Sequence, residues 1–357
     1  MPLVRTVRPC LDSGQGAPFA YADNDAQPLR QEFAGNSPMN AETVAPEAAR
    51  ELGPGHARFL QMAKAQDPLP TAVVHPVDAL SLQGAIACAG QGLVIPLLVG
   101  PSARIREAAA SARLDIAHFE IVDCEHSDAA AAKSVALARE GRVGALMKGA
   151  IHTDEVMKAV LHPELGLRTA RRMSHCFVID VPGFPKPFYV TDAAINIYPT
   201  LSDKRDIIQN AIDLAHALGV AVPLVAILSA VETVTESIRS TIDAASLCKM
   251  ADRGQITGGV LDGPLAFDNA VALEAAAAKG IVSPVAGRAE VLVVPDLEAG
   301  NMLAKQLEYL AGARVAGIVL GARVPIMLTS RADKAAARVS SAAIAVLLAA
   351  AKARKPA

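Results

Sequence analysis

RVGALMKGAIHTDEVMKAVLHPELGLRTARRMSHCFVIDVPGFPKPFYVTDAAINIYPT, residues Arg142–Thr200, decides the fold class of this chain. It opens with a short apolar run, Val143 to Met147, of the kind that forms a buried strand. The run ends in Lys148-Gly149, and His152-Thr153 then starts an amphipathic helical pattern. A strand that runs into a loop and a helix N-terminus is where open α/β sheets place ligands. The free N–H groups and partial positive charge of such a helix end favour an anion, and Lys148 adds a full charge. Arg168 and Arg171-Arg172 follow. A second strand-like run, Phe188 to Thr191, then ends in Asp192 and Asn196. Cations, a carboxamide and a carboxylate at the ends of apolar runs suggest a cleft that holds an anionic ligand. The plainer reading makes the basic residues a solvated surface and Gly-Ala-Ile-His-Thr a turn with a helix cap.

Composition narrows the field. A chain of 357 residues forms two domains or one large one. Hydrophobic residues make up 52% but aromatics only 3%, with no Trp, so the cores rest on Ala, Val, Leu and Ile. A net charge of −2 gives no electrostatic footprint for nucleic acid or for an anionic membrane. The five cysteines, Cys10, Cys88, Cys124, Cys176 and Cys248, are scattered without a CxxC pair, which fits reduced thiols in a cytoplasm. Cys176, beside Ser174-His175, is the single candidate nucleophile among them, though Cys is more often a small buried apolar residue. No N-terminal segment reads as a signal peptide. The apolar run Ala342 to Ala351 is too short to span a bilayer and reads as a buried core helix. No metal-ligand spacing is present.

Residues 1 to about 45 read as an irregular arm, without periodicity. Beyond it, helical and strand patterns alternate. Strands are expected at 71–75, 93–99, 119–122, 143–147, 188–191, 222–228, 260–261, 291–294, 317–320 and 324–328. Helices are expected at 46–64, 78–90, 103–112, 128–140, 202–218, 232–250, 267–279, 299–310 and 332–352. Ser202 and Asp203 are the expected caps of the helix at 202–218. This alternation argues for a parallel α/β sheet.

Several stretches together resemble the phosphate acetyltransferase and phosphate butyryltransferase family. They are Leu98-Val99-Gly100, Lys148-Gly149-Ala150-Ile151-His152-Thr153, Thr191-Asp192-Ala193-Ala194-Ile195-Asn196 and Leu261-Asp262-Gly263-Pro264 with Asp268. SPVAGRAEVLVVPDLEAGN, from Ser283 to Asn301, follows, and then Pro325 with Thr329-Ser330-Arg331-Ala332-Asp333. They fall in family order and cover the chain from about residue 68 to its end. The TSRAD ending and the lack of long insertions look more like the butyryltransferase branch.

The resemblance implies two α/β domains around a cleft, like isocitrate and isopropylmalate dehydrogenases. Here these would be residues 46–165 with 316–357, and residues 166–315. It implies a homodimer that moves a short acyl group, acetyl or butyryl, reversibly between coenzyme A and phosphate. It implies no metal and no cofactor, with coenzyme A as a substrate. The thiol must lose its proton to attack an acyl phosphate, the carbonyl oxygen needs donors and the phosphate needs cations. By resemblance Ser330 bonds the thiol or the tetrahedral centre and Arg331 holds the phosphoryl group. The family's base lies several residues further on, where this chain has Ala335-Ala336-Ala337. Asp333 is the nearby carboxylate, with helix capping as its other reading. Lys148, Gly149, His152, Thr153, Asp192, Asn196, Asp296 and Asn301 form the expected substrate site. Lys158 stands about where acetyltransferases carry an arginine, with Arg168 as a further phosphate ligand. Two other readings remain. One is a binding module for CoA or acyl phosphate that has lost its base. The other is a decarboxylating dehydrogenase of the same architecture, for which neither GxGxxG nor an aspartate cluster is present.

Overall fold

Alternating apolar runs build a sheet with helices on both faces. The computed structural model describes residues 49, 51–329 and 335–354, all within one compact unit, Pro38–Ala357. The first half runs α1 (Pro54–Lys64), β1 (Leu69–Val74), α2 (Ala79–Gly90), β2 (Val94–Gly100), α3 (Ser102–Ser111), β3 (Glu120–Asp123), α4 (Ser127–Arg139), β4 (Ala145–Lys148) and α5 (Thr153–Val160). Then come β5 (Ser174–Asp180), β6 (Phe188–Thr191), α6 (Leu201–Ala217), β7 (Leu224–Leu228), α7 (Arg239–Asp252), β8 (Val260–Leu265), α8 (Phe267–Val271), α9 (Leu273–Ala278), β9 (Val291–Val293), α10 (Leu297–Leu310), β10 (Arg314–Leu320), β11 (Ile326–Met327) and α11 (Ala335–Arg354).

All eleven described strands join one mixed sheet, in the order β3-β2-β1-β4-β11-β10-β5-β6-β9-β7-β8. Strands β3, β2, β1, β4 and β11 are parallel. Antiparallel pairings of β10 with β11 and β5, and of β5 with β6, link them to the second parallel set, β6, β9, β7 and β8. From β1 the chain first steps outward to β2 and β3. It then returns to place β4 on the other side of β1, which makes the C-terminal ends of β1 and β4 a switch point.

The strands bury both faces, as parallel strands between helices do. Val73, Leu98 and Met147 pack on one face with α2, α6 and α11. On the other face Val74, Val99 and Leu146 pack with α4 and α5, and Ile179, Val190 and Leu292 form a third cluster. Helix α11 is long and apolar enough, by length and composition, to cross a bilayer. Yet Ala336 and all of Arg338–Leu347 are buried in the fold, as expected for a core helix.

The structure departs from the sequence expectations at four places. Strand β5 was not expected, because Ser174, His175 and Asp180 interrupt its apolar pattern. Its polar side chains find remote partners instead: Asn210 Nδ2 donates to Ser174 Oγ at 2.9 Å, and Asp180 Oδ2 accepts from Gly55 N–H at 2.7 Å. The helix expected from 232 begins only at Arg239. Before it, Thr241 Oγ1 donates to the Thr235 and Ile238 carbonyls and accepts from Thr235 N–H, a local arrangement that competes with helix. The helix expected over 267–279 breaks at extended Ala272. The Asn269 and Ala270 carbonyls there accept from Gly287 and Ala289 rather than from the next helical turn. Helix α6 is capped by Thr200, two residues before the expected Ser202, with Asp203 reciprocating in a capping box.

Candidate active site

The ends of β1 and β4 are stitched together. Gly149 N–H donates to Val74 O at 2.9 Å, Ala150 N–H donates to His75 O at 3.0 Å, and His75 Nδ1 lies 3.0 Å from Ala150 O. A Cβ on Gly149 would stand 2.5 Å from Val74 O, so only glycine allows this approach. The loop then folds Lys148 inward. Its ammonium is buried and donates to Ile151 O at 3.1 Å, while its carbonyl accepts from Arg338 Nη1 at 2.9 Å. A buried arginine of α11 thus fixes the backbone that carries the lysine.

Lys148 faces a cavity of about 300 Å³. One wall is Ile151, His152 and Thr153, at the loop and the start of α5. His152 N–H donates to Glu155 Oε1 at 3.3 Å, which fixes the helix entry. The opposite wall is α10, with Asn301, Lys305 and Glu308, the last two paired at 2.7 Å. The floor comes from the middle of the sheet: His175 and Phe177 of β5, Val315 and Gly317 of β10, and Leu328-Thr329 after β11. His175 stacks edge-on against Phe177 with ring centroids 4.4 Å apart. Burial pushes its imidazole down to about 3, so the ring is neutral near pH 7. The Lys148 and Lys305 ammonium groups on its walls can hold an anion, and Phe177, Val315 and Leu328 offer a small apolar surface beside it. That pairing suits an anionic ligand with a short apolar group.

A family model for phosphate acetyl/butaryl transferase matches residues 127–346, which include most of these walls. The chain belongs to this family. It is 63% identical over 293 residues to a phosphate acetyltransferase of Rhizobium meliloti, a match covering 82% of this chain and 93% of the relative. A phosphate butyryltransferase of Clostridium beijerinckii is 45% identical over 254 residues, covering 71% and 84%. The identity thus runs higher to an acetyltransferase than to this butyryltransferase, whereas the TSRAD ending and lack of insertions look more like the butyryl branch. Among solved structures, a branched-chain phosphotransacylase from Enterococcus faecalis V583 superposes with a TM-score of 0.69 at 29% identity. That match covers 79% of this chain and 99% of the other.

Within this member of the family, the expected residues divide into three groups. Lys148, His152, Thr153 and Asn301 meet around the cavity, with Gly149 behind them. Five others do not line it. Lys158, in the last turn of α5, and Arg168 are exposed. Asp192 is buried and organises its own turn: its carboxylate accepts from the N–H groups of Ala194, Ile195 and Asn196 and from Asn196 Nδ2. Burial holds that carboxyl above the usual carboxylate range, although these hydrogen bonds pull it back. Asn196 also accepts from Arg172 Nε at 2.7 Å and donates to Met173 O at 2.9 Å. Asp296 caps α10, accepting from Ala299 N–H at 2.9 Å. These bonds shape the segments that deliver Ala194 and Asn301 to the cavity. The third group, Ser330, Arg331 and Asp333, lies outside the described residues, as does the arm at 1–45. Cys176 is fully buried, and burial together with the Asp192 carboxylate pushes its thiol up, which does not suit a nucleophile.

His175, Phe177, Lys305, Glu308 and Thr329 line the cavity but are not among the site residues expected from the sequence. Lys305 and Glu308 lie on the Asn301 face of an expected helix, one and two turns on, so helical spacing could have added them. His175 and Phe177 depend on recognising β5, which the broken apolar pattern hid.

Proposed function

We propose that this protein is a phosphate acyltransferase that moves a short acyl group reversibly between coenzyme A and inorganic phosphate. The observation that carries the reading is the cavity at the β1–β4 switch point. There Lys148 is held inward by Ile151 and Arg338, facing Lys305 and Asn301 across a small apolar floor. Family membership supplies the reaction class. The 63% identity to an acetyltransferase favours acetyl as the group carried.

In this reading the phosphate lies against Lys148, the N-terminal end of α5 and Arg331. Ser330 meets the thiol, and Asp333 takes its proton when CoA attacks acyl phosphate. The acyl chain lies over Phe177, Val315 and Leu328. We further propose two lobes, residues 46–165 with 316–357 and residues 166–315, meeting at this cavity, and a cytoplasmic homodimer as the working form. The catalytic chemistry is complete in the side chains and the two substrates, with no cofactor required.

The test is phosphate-dependent release of free CoA from acetyl-, propionyl- and butyryl-CoA, followed with a thiol reagent. Rapid release with a preference for acetyl supports the proposal. Saturable CoA binding without release from any of the three favours the binding-module reading that the displaced aspartate raises. Light scattering on the same sample tests the dimer.

A further inference from the structure

Two buried polar groups at the floor of the cavity are unused by anything described so far. His175 is 1% exposed and Thr329 is 3% exposed, and both line the cavity. His175 Nδ1 and Thr329 Oγ1 have no hydrogen-bond partner among the described residues. A buried polar group left unpaired is costly, so two in one small cavity call for an explanation. They flank the same strand. Antiparallel pairing puts Val319 of β10 opposite His175 on one side and Ile318 opposite Met327 on the other, which brings the chain after Met327 beside Gly317. A Cβ on Gly317 would stand 2.6 Å from Leu328 O and 2.9 Å from His175 Nε2. The missing side chain at Gly317 therefore lets the imidazole and the Leu328-Thr329 backbone close in on the strand from either side, at the cavity floor. The adjoining surface is apolar Phe177, Val315 and Leu328.

We propose that His175 and Thr329 are the donors that receive the acyl carbonyl oxygen, with the acyl chain seated on the apolar surface beside them. This rests on the acyltransferase reading above. An oxygen of hydrogenphosphate attacks the thioester carbon, and the C=O π pair moves onto the carbonyl oxygen. An imidazole N–H and the Thr329 hydroxyl donate to that oxygen as its charge grows. The tetrahedral adduct collapses, the C–S bond breaks with its electron pair leaving on sulfur, and the phosphate proton ends on the CoA thiol. A neutral imidazole suits the task. It donates without bringing a charge into a buried site, and its low affinity for protons keeps it from acting as an acid or base near pH 7. Donors fixed before the charge develops need no rearrangement in the reaction.

The test uses the full chain and Thr329→Val, an isosteric loss of the hydroxyl, beside Thr329→Ser, which keeps it. Thr329→Val is expected to lower kcat about tenfold to a hundredfold, with the KM for CoA and the melting temperature nearly unchanged. Thr329→Ser is expected to keep most activity. His175→Leu is expected to lose more turnover than His175→Gln, whose amide can still donate. Infrared spectra of acetyl-CoA labelled with ¹³C at the carbonyl, bound without phosphate, supply a second readout. The wild-type protein is expected to shift the carbonyl band to lower frequency, and Thr329→Val to lose part of that shift. A Thr329→Val protein with wild-type kcat and an unaltered carbonyl band would overturn the assignment, even if the His175 variants fail to fold. A wild-type protein that releases no thiol from any acyl-CoA would instead sink the underlying acyltransferase reading, and this proposal with it.

Discussion

Lys148 concentrates the chemistry of the site in one side chain. A buried ammonium facing a cavity is worth keeping only if an anion or dipoles meet it, and Ile151 O supplies one such dipole. Lys148→Met is therefore expected to raise the KM for phosphate. Loss of one charged contact is typically worth about 1.5–3 kcal/mol, or roughly tenfold to a hundredfold. Steady-state kinetics with phosphate varied at saturating acetyl-CoA reads this directly; an unchanged KM would remove Lys148 from the phosphate site. Lys158→Ala is the contrast, because that side chain is exposed and off the cavity wall. Its KM should stay close to wild type. Arg331→Ala, on the family resemblance, should cut kcat by about 10² to 10³ and weaken CoA binding far less. Arg331→Lys should restore little, since a point charge cannot copy a planar fork. Full rescue by lysine would reduce Arg331 to a general electrostatic contributor.

At the scale of elements, two helices behind the sheet are joined by a buried ion pair. Lys204 Nζ of α6 lies 2.8 Å from Asp243 Oδ2 of α7, with side chains only 6% and 11% exposed. Removing Lys204 leaves the buried Asp243 carboxylate facing the exposed Arg239, 4.0 Å away, which compensates it poorly. Lys204→Met should therefore lower unfolding stability by about 3–5 kcal/mol, and Lys204→Met with Asp243→Leu should recover much of that. Urea unfolding of the three proteins checks the order; a single variant as stable as wild type would show that Arg239 or water takes over Asp243. The cap of α6 is a milder case. Thr200→Ala removes the acceptor for Asp203 N–H and half of the capping box, at a cost of about 1 kcal/mol. Since α6 contributes nothing to the cavity wall, kcat and KM should hold while the melting temperature falls.

For the whole molecule, the buried histidines add to the loss of stability in acid. His175 is pushed down to about 3 by burial, and burial also lowers His56 despite the nearby Asp180 carboxylate. Between pH 6.5 and 3 the unfolded chain therefore binds protons that folded His175 refuses. Stability is fully present above pH 6.5 and is lost as pH falls below it. Each such histidine gives a limiting slope of about 1.4 kcal/mol per pH unit. Unfolding free energies measured from pH 7 to 4 should fall accordingly, and His175→Gln should show a shallower slope. An identical slope would mean that His175 is protonated in the folded protein.

The sequence by itself carried the α/β alternation, most element positions, the Lys148-Gly149 turn at a strand end and the ordered family motifs from Leu98 to Asp333. These are legible because apolar periodicity records which face of each element is buried, and because a strand–glycine–helix junction has local backbone demands. Only the tertiary structure decided what surrounds Lys148. Periodicity says nothing about which strands become neighbours, so β10 and β11 passing between β4 and β5, and hence the floor of the cavity, could not be read. It also hid β5, whose Ser174, His175 and Asp180 look wrong for a central strand until Asn210 and the start of α1 meet two of them. Nor could it sort the carboxylates: Asp192 and Asp296 both follow apolar runs, but their oxygens are taken by backbone N–H groups of their own turns. The support beneath the lysine itself comes from Arg338, 190 residues along the chain. A hydrogen bond between positions so far apart is fixed by packing, and leaves no trace in local sequence.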